Sequence, residues 1–127
     1  MMELEISEVA KLTKLKPHTL RYYESIGLIK DIRRNESGKR IYTEEDLKWI
    51  EVINRLRNTG MNISKMIQYA TLRHLGDSTI TERKNILKEH LSSINHEIQV
   101  LIEAKDYVEK KIEIYNSMEE KLNGKGK

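Results

Sequence analysis

Along the first half of the chain, apolar residues recur in short runs at helical spacing. Ile6, Val9 and Ala10 stand at i, i+3 and i+4 and predict a helix of about two turns. A break over residues 13–16 follows. Pro17 then stands where a first helical turn tolerates a missing N–H. In this second helix Leu20 and Tyr23 share an inward face, whereas His18, Arg21, Tyr22 and Ser25 share the opposite one. Gly27 is placed to close the helix in a left-handed conformation. Residues 32–42 suggest a hairpin with a polar tip, Asn35-Glu36-Ser37-Gly38. Thr43-Glu44-Glu45-Asp46 then forms a capping box with acids at the positive end of a third helix. Leu47, Ile50, Ile53 and Leu56 make its stripe, and Thr59-Gly60 stops it. A fourth helix opens on Asn62, carries Ile63, Met66, Ile67 and Ala70 inward, and fades at Gly76-Asp77.

Beyond that point the period changes. Ile80, Leu87, Ile94, Leu101, Val108, Tyr115 and Leu122 follow one another at intervals of seven. Four residues after successive members stand Lys84, Leu91, Ile98, Lys105, Ile112 and Glu119, half of them apolar. These are the d and a rows of a heptad seam, with Thr79-x-x-Glu82 as its start. A helix of that length spans roughly 65 Å and has only a narrow apolar strip, which its own chain cannot cover. Association is therefore expected through Ile80, Leu87, Leu91, Ile94, Ile98, Leu101, Val108, Ile112 and Tyr115. Lys105 in an a position suits either a register-fixing role or an outward-reaching side chain. The expected division is a winged helix-turn-helix domain over residues 1–76, a coiled-coil helix over 77–122 and a disordered tail over 123–127. The fold class is mainly α.

Composition sharpens this picture at two points. The net charge of +3 is modest, but it is unevenly spread. Between Lys11 and Tyr42 there are nine Lys/Arg against three acids, whereas from Ser78 onward there are nine of each. Positive charge thus concentrates on the second helix and the hairpin, a pattern suited to duplex nucleic acid. The chain has no cysteine, which excludes disulfides, thiolate metal sites and thiol switches. No apolar run is long enough for a membrane span, and no hydrophobic signal core opens the chain, so a cytoplasmic location is expected. No nucleophile with a base, phosphate loop or carboxylate pair stands out. An enzyme is not expected, nor any cofactor.

Four blocks carry a resemblance: Ile6-Ser7-Glu8-Val9-Ala10, Thr19-Leu20-Arg21-Tyr22-Tyr23-Glu24 with Ile26-Gly27-Leu28, Arg40-Ile41-Tyr42-Thr43-Glu44-Glu45-Asp46-Leu47, and Gly60-Met61. In this order, ahead of one long heptad helix, they resemble the MerR family of bacterial transcription regulators. The resemblance implies a homodimer joined by an antiparallel coiled coil at a pseudo-palindromic promoter element. It also implies that the dimer bends and untwists the spacer so that RNA polymerase can engage it. It places Lys16, His18, Thr19, Arg21 and Tyr22 at the major groove, and Arg33, Arg34, Lys39, Arg40 and Tyr42 on the wing. Lys65, near the start of the fourth helix, becomes a phosphate contact. Lys14 departs from the glycine frequent at the turn, Lys16 from a Ser-type cap, and Lys39 from the aromatic frequent on the wing. Without cysteines, neither the metal-sensing nor the thiol-sensing chemistry of the family carries over. A small organic effector at the dimer junction stays open as a partner, with no separate effector domain expected.

Other readings are available for several residues and for the whole. Tyr23 and Trp49 suit core packing, and Tyr69, Tyr107 and Tyr115 suit packing or seam roles better than an effector pocket. His74, His90 and His96 lack the spacing of a metal pair. An architectural or excisionase-like DNA binder would share the helix and wing without needing a fixed dimer. A coiled-coil protein adaptor would need no groove-facing Arg/Tyr set at all.

Overall fold

The computed structural model describes residues 3–125. In chain order the elements are β1 (Glu3–Glu5), α1 (Ile6–Thr13), α2 (Pro17–Ser25), β2 (Arg33–Arg34), β3 (Arg40–Thr43), α3 (Glu44–Asn58), α4 (Ile63–Leu75), a 3-10 turn (Asp77–Thr79) and α5 (Ile80–Lys125). The three strands form one antiparallel sheet in the order β1-β3-β2, with Leu4 opposite Tyr42 and Arg34 opposite Arg40. Strand β1 was not expected from the sequence, because three residues are too few to show a period of two.

Each helix begins and ends for a local reason. The Glu5 N–H donates to Glu8 Oε1 at 3.1 Å at the start of α1. Thr43 and Asp46 exchange two hydrogen bonds, of 2.9 and 3.2 Å, which is the capping box expected for α3. Asn62 Oδ1 accepts from the Lys65 N–H at 2.8 Å and caps α4. After α2, Gly27 at φ 81° reverses the chain, so that the N–H of Leu28 reaches the Tyr23 carbonyl at 2.9 Å.

The core collects one stripe from each of these elements. Val9, Leu20, Leu28, Ile29, Tyr42, Ile50 and Ile53 are all but sealed from solvent, with Leu4, Tyr23, Trp49, Leu56, Met61, Met66 and Ala70 around them. Complete burial of an aliphatic side chain of this size contributes roughly 1.5–3 kcal/mol. Ile63, expected inward with Met66 and Ala70, instead lies 41 % exposed at the start of α4.

One compact unit runs as far as Leu87, past the expected domain end at residue 76. The extension has a clear cause. Ile86 is buried in the core cluster, and the buried Thr79 hydroxyl lies 2.6 Å from the Leu72 carbonyl and 2.7 Å from that of Gly76. Arg83 donates from Nε to Thr79 Oγ1 at 3.0 Å and from Nη2 to the Gly76 carbonyl at 3.2 Å. Thr79 thus ties the start of α5 back to α4, a role outside the expected capping box. The second unit is the remainder of α5 from Lys88. Within it Leu91, Ile98, Leu101, Val108, Ile112 and Tyr115 are all exposed, Leu101 by 68 %, and Ile94 partly so. Ile80 and Leu87, the first two residues of the seam, are exposed in the N-terminal unit. Helix α5 continues through residues 123–125 of the segment expected to be disordered, and Gly126 and Lys127 lie outside the described residues.

The turn between α1 and α2 carries two unfavourable choices. Lys14 sits in the left-handed region at φ 61°, and Lys16 caps α2 without a side-chain acceptor. Lys14→Gly is expected to raise stability by about 0.5–1 kcal/mol. Lys16→Ser should add about 0.5–2 kcal/mol. Urea unfolding of each variant against the parent chain measures both.

Candidate nucleic-acid interface

Helix α2 presents two faces of opposite character. Leu20 and Tyr23 are buried under it, whereas His18, Arg21 and Tyr22 are exposed, with Thr19 half-buried beside them. Pro17 at its first turn fixes the entry. Lys16, one residue earlier, is exposed as well.

The hairpin lies against this helix and carries its own cations. Its tip is organised by Asn35, whose Oδ1 accepts from the N–H groups of Ser37 and Lys39, both at 3.0 Å. Gly38 at φ 80° completes the turn. Lys39 is exposed. The three arginines are held. Arg33 donates to Glu3 at 2.8 Å, Arg34 donates to the Gly38 carbonyl at 3.0 Å, and Arg40 donates from Nε to Glu24 Oε2 at 2.8 Å. Between wing and helix is a cleft of about 340 Å³ whose cationic walls are Arg21, Lys39 and Arg40.

On the other side of α2 a groove of about 410 Å³ is lined by His18, Thr19, Tyr22, Arg57, Met61 and Ile63, among others. Arg57 was not singled out from the sequence. It is exposed at the end of α3 and has no ion-pair partner among the described residues, whereas Arg55 pairs with Glu51 at 3.3 Å. A cation near a helix C-terminus also suits the dipole, which is why pattern alone does not distinguish it. Lys65 lies on the first turn of α4, half-buried.

Tyr42 requires a correction. It was expected on the wing surface, yet it is fully buried. Successive strand side chains alternate between faces, so Tyr42 falls on the same side as Arg40, towards α2 and the core. Trp49 is core as expected. Its Nε1 donates to the Leu28 carbonyl at 2.8 Å, its ring stacks on Tyr69 at 5.7 Å, and the Arg73 guanidinium lies 4.4 Å over it. Among the described residues, no group of three His, Asp or Glu side chains is placed to hold a metal. No described helix is long and apolar enough to cross a membrane.

The arrangement has counterparts. Residues 4–73 match the MerR helix-turn-helix family of regulatory proteins. The chain is 50 % identical over 86 residues to the transcriptional regulator AdhR of Bacillus subtilis, a match covering 68 % of this chain and 61 % of that protein. It is 30 % identical over 114 residues to a helix-turn-helix regulator of Haemophilus influenzae, covering 90 % and 84 % of the two. Among solved structures, HiNmlR, a MerR-family regulator lacking the sensor domain and bound to promoter DNA, superposes with a TM-score of 0.84. Identity there is 29 %, and 91 % of this chain and 92 % of that one are covered.

The Tyr42 hydroxyl has no hydrogen-bond partner among the described residues. Burial raises its pKa above the usual 10.0, and the nearby Glu24 carboxylate pushes the same way. An unfolded chain would ionise this phenol near its usual value while the folded one holds it neutral. The folded state therefore benefits fully below that value and loses the benefit as pH rises beyond it. Tyr42→Phe, which removes an unsatisfied polar atom, is expected to be neutral or stabilising near pH 7. Its stability advantage over wild type should widen above pH 10, as measured by urea unfolding across pH.

Proposed function

Because this chain belongs to the MerR family of helix-turn-helix regulatory proteins, we propose that it works as a homodimer on a pseudo-palindromic promoter element. It is a DNA-binding transcription regulator, and its relatives are regulators rather than enzymes. In the proposed complex α2 enters the major groove, with Arg21 and Tyr22 meeting base edges and His18 and Thr19 beside them. Lys16, Lys39, Arg33, Arg34 and Arg40 face phosphates on the wing side, and Lys65 and Arg57 on the other. The observation that carries this reading is the exposed His18-Arg21-Tyr22 face of α2, set between a cleft walled by Arg21, Lys39 and Arg40 and a mostly apolar groove that carries Arg57, on a helix whose other face is locked in the core.

Dimerisation rests on the seam of α5. Its apolar rows have no cover within the second unit, and an antiparallel partner would supply it. Two copies of α2 then sit at a fixed separation, which is what a two-fold operator requires. The dimer acts by bending and untwisting an overlong promoter spacer towards a form that RNA polymerase engages, so deformability contributes to selectivity alongside base contacts. The site of action is the cytoplasm. HiNmlR, a MerR-family regulator bound to promoter DNA, supports action on promoter DNA.

Selection of bound sequences from a random duplex pool should recover an inverted repeat, and transcription in vitro from promoters containing it should respond to the protein. Recovery of no repeat would overturn the reading. Arg21→Ala is expected to weaken binding to the recovered duplex by about 1–3 kcal/mol and to relax preference at one position of each half-site. Leu101→Asp, in the middle of the seam, should convert the dimer to protomers in sedimentation and abolish high-affinity binding while leaving the fold of the N-terminal unit intact.

A further inference from the structure

Glu24 is out of place by two simple criteria. It lies in the last turn of α2, where the helix dipole disfavours an anion. It also stands on the side of the molecule that meets a polyanion. Yet its carboxylate is well occupied. Arg40 Nε donates to both of its oxygens, at 2.8 and 3.4 Å, and Arg34 Nη2 lies 3.8 Å from Oε1. The side chains of Glu24 and Arg40 are each only 22 % exposed, so this pair is shielded in a way that the Arg33–Glu3 pair, more than half exposed on both sides, is not.

The pair also joins two different elements. Glu24 belongs to α2 and Arg40 to β3, sixteen residues apart along the chain. Between them they link the reading helix to the wing at the edge of the cleft shared by Arg21 and Lys39. A guanidinium gripped through Nε keeps its terminal nitrogens as donors. It has also lost most of its rotamer freedom before any ligand arrives, and this lowers the entropy cost of docking. The same grip neutralises part of the wing's charge, which weakens attraction to any duplex whatever its sequence.

We infer that Glu24 is a positioning residue for DNA recognition: it clamps Arg40, with Arg34 beside it, so that wing and reading helix meet the duplex in one register, giving up general affinity for selectivity. This rests on the reading of α2 and the wing as the DNA-binding face.

The test uses the full chain and three variants, Glu24→Gln, Arg40→Lys and the double substitution. In DNA-free protein, the Arg40 Nε–H NMR signal should exchange with water more slowly than that of Arg21, and Glu24→Gln should abolish the difference. Binding is then measured to the duplex recovered by selection and to a scrambled duplex, over a range of salt. Glu24→Gln should tighten binding to the scrambled duplex and steepen its salt dependence by about 0.9 in log–log slope, the equivalent of one further phosphate neutralised. The ratio of selected to scrambled affinity should fall by about fivefold or more. Arg40→Lys, which keeps the charge but loses the fork, should lower the ratio similarly, and the double variant should lower it no further. Equal gains on both duplexes would reduce Glu24 to a simple charge and overturn the inference. So would equal losses accompanied by a lower melting temperature, which mark a purely structural role. If wild type shows no preference for any selected duplex, the DNA-face reading fails, while the NMR comparison still decides whether Arg40 is clamped.

Discussion

Nine residues are too few for a helix to hold itself in water, so α2 exists only as far as its inner face is packed. Leu20 and Tyr23 supply that packing from within the helix. Gly27 then turns the chain so that Leu28 and Ile29 enter the core immediately after it. Trp49 fixes the turn by donating to the Leu28 carbonyl across a separation of 21 residues. Everything presented on the outer face of α2 depends on this anchoring. A rigid inner face allows His18, Arg21 and Tyr22 to remain exposed without the helix fraying. The wing gains its position from the same core, because Tyr42 enters it from β3 and Leu4 lies opposite on β1.

Much of this was legible in the sequence because it rests on local chemistry. The Thr43–Asp46 box, the Asn62 cap and the Gly27 reversal each need only a few neighbouring residues, and each was found where expected. The seven-residue spacing of α5 was equally plain. What escaped detection depends on partners distant in sequence or on parity within very short strands. The family resemblance places Tyr42 on the wing surface, but strand alternation sends it inward with Arg40. Ile86 lies off both rows of the heptad seam, so its place in the core cluster had no periodic signal. Arg57 and Glu24 acquire their settings only where α2, α3 and the wing come together, which no local pattern shows.

Helix α5 illustrates how a single element serves two ends. Its first turns are built into the N-terminal unit through Ile86, Arg83 and the Thr79 hydroxyl, all satisfied within the chain. Past Leu87 the leucines and isoleucines of the seam, among the described residues, are exposed or, at Ile94, partly so. An isolated helix of this composition would be a poor folding unit. In the proposed dimer a second copy would supply the missing apolar contact, and a polar a position such as Lys105 would restrict the registers open to it.

The connection between α1 and α2 shows where thermal robustness has been conceded. A left-handed residue and a helix cap are positions at which glycine and serine cost least, and both are lysine here. On the proposed reading of α2 as the DNA-facing helix, each adds a cation immediately ahead of it, where long-range attraction would accelerate encounter with a duplex. On that same reading, melting temperature and capture rate pull in opposite directions at this turn, and the two lysines favour capture.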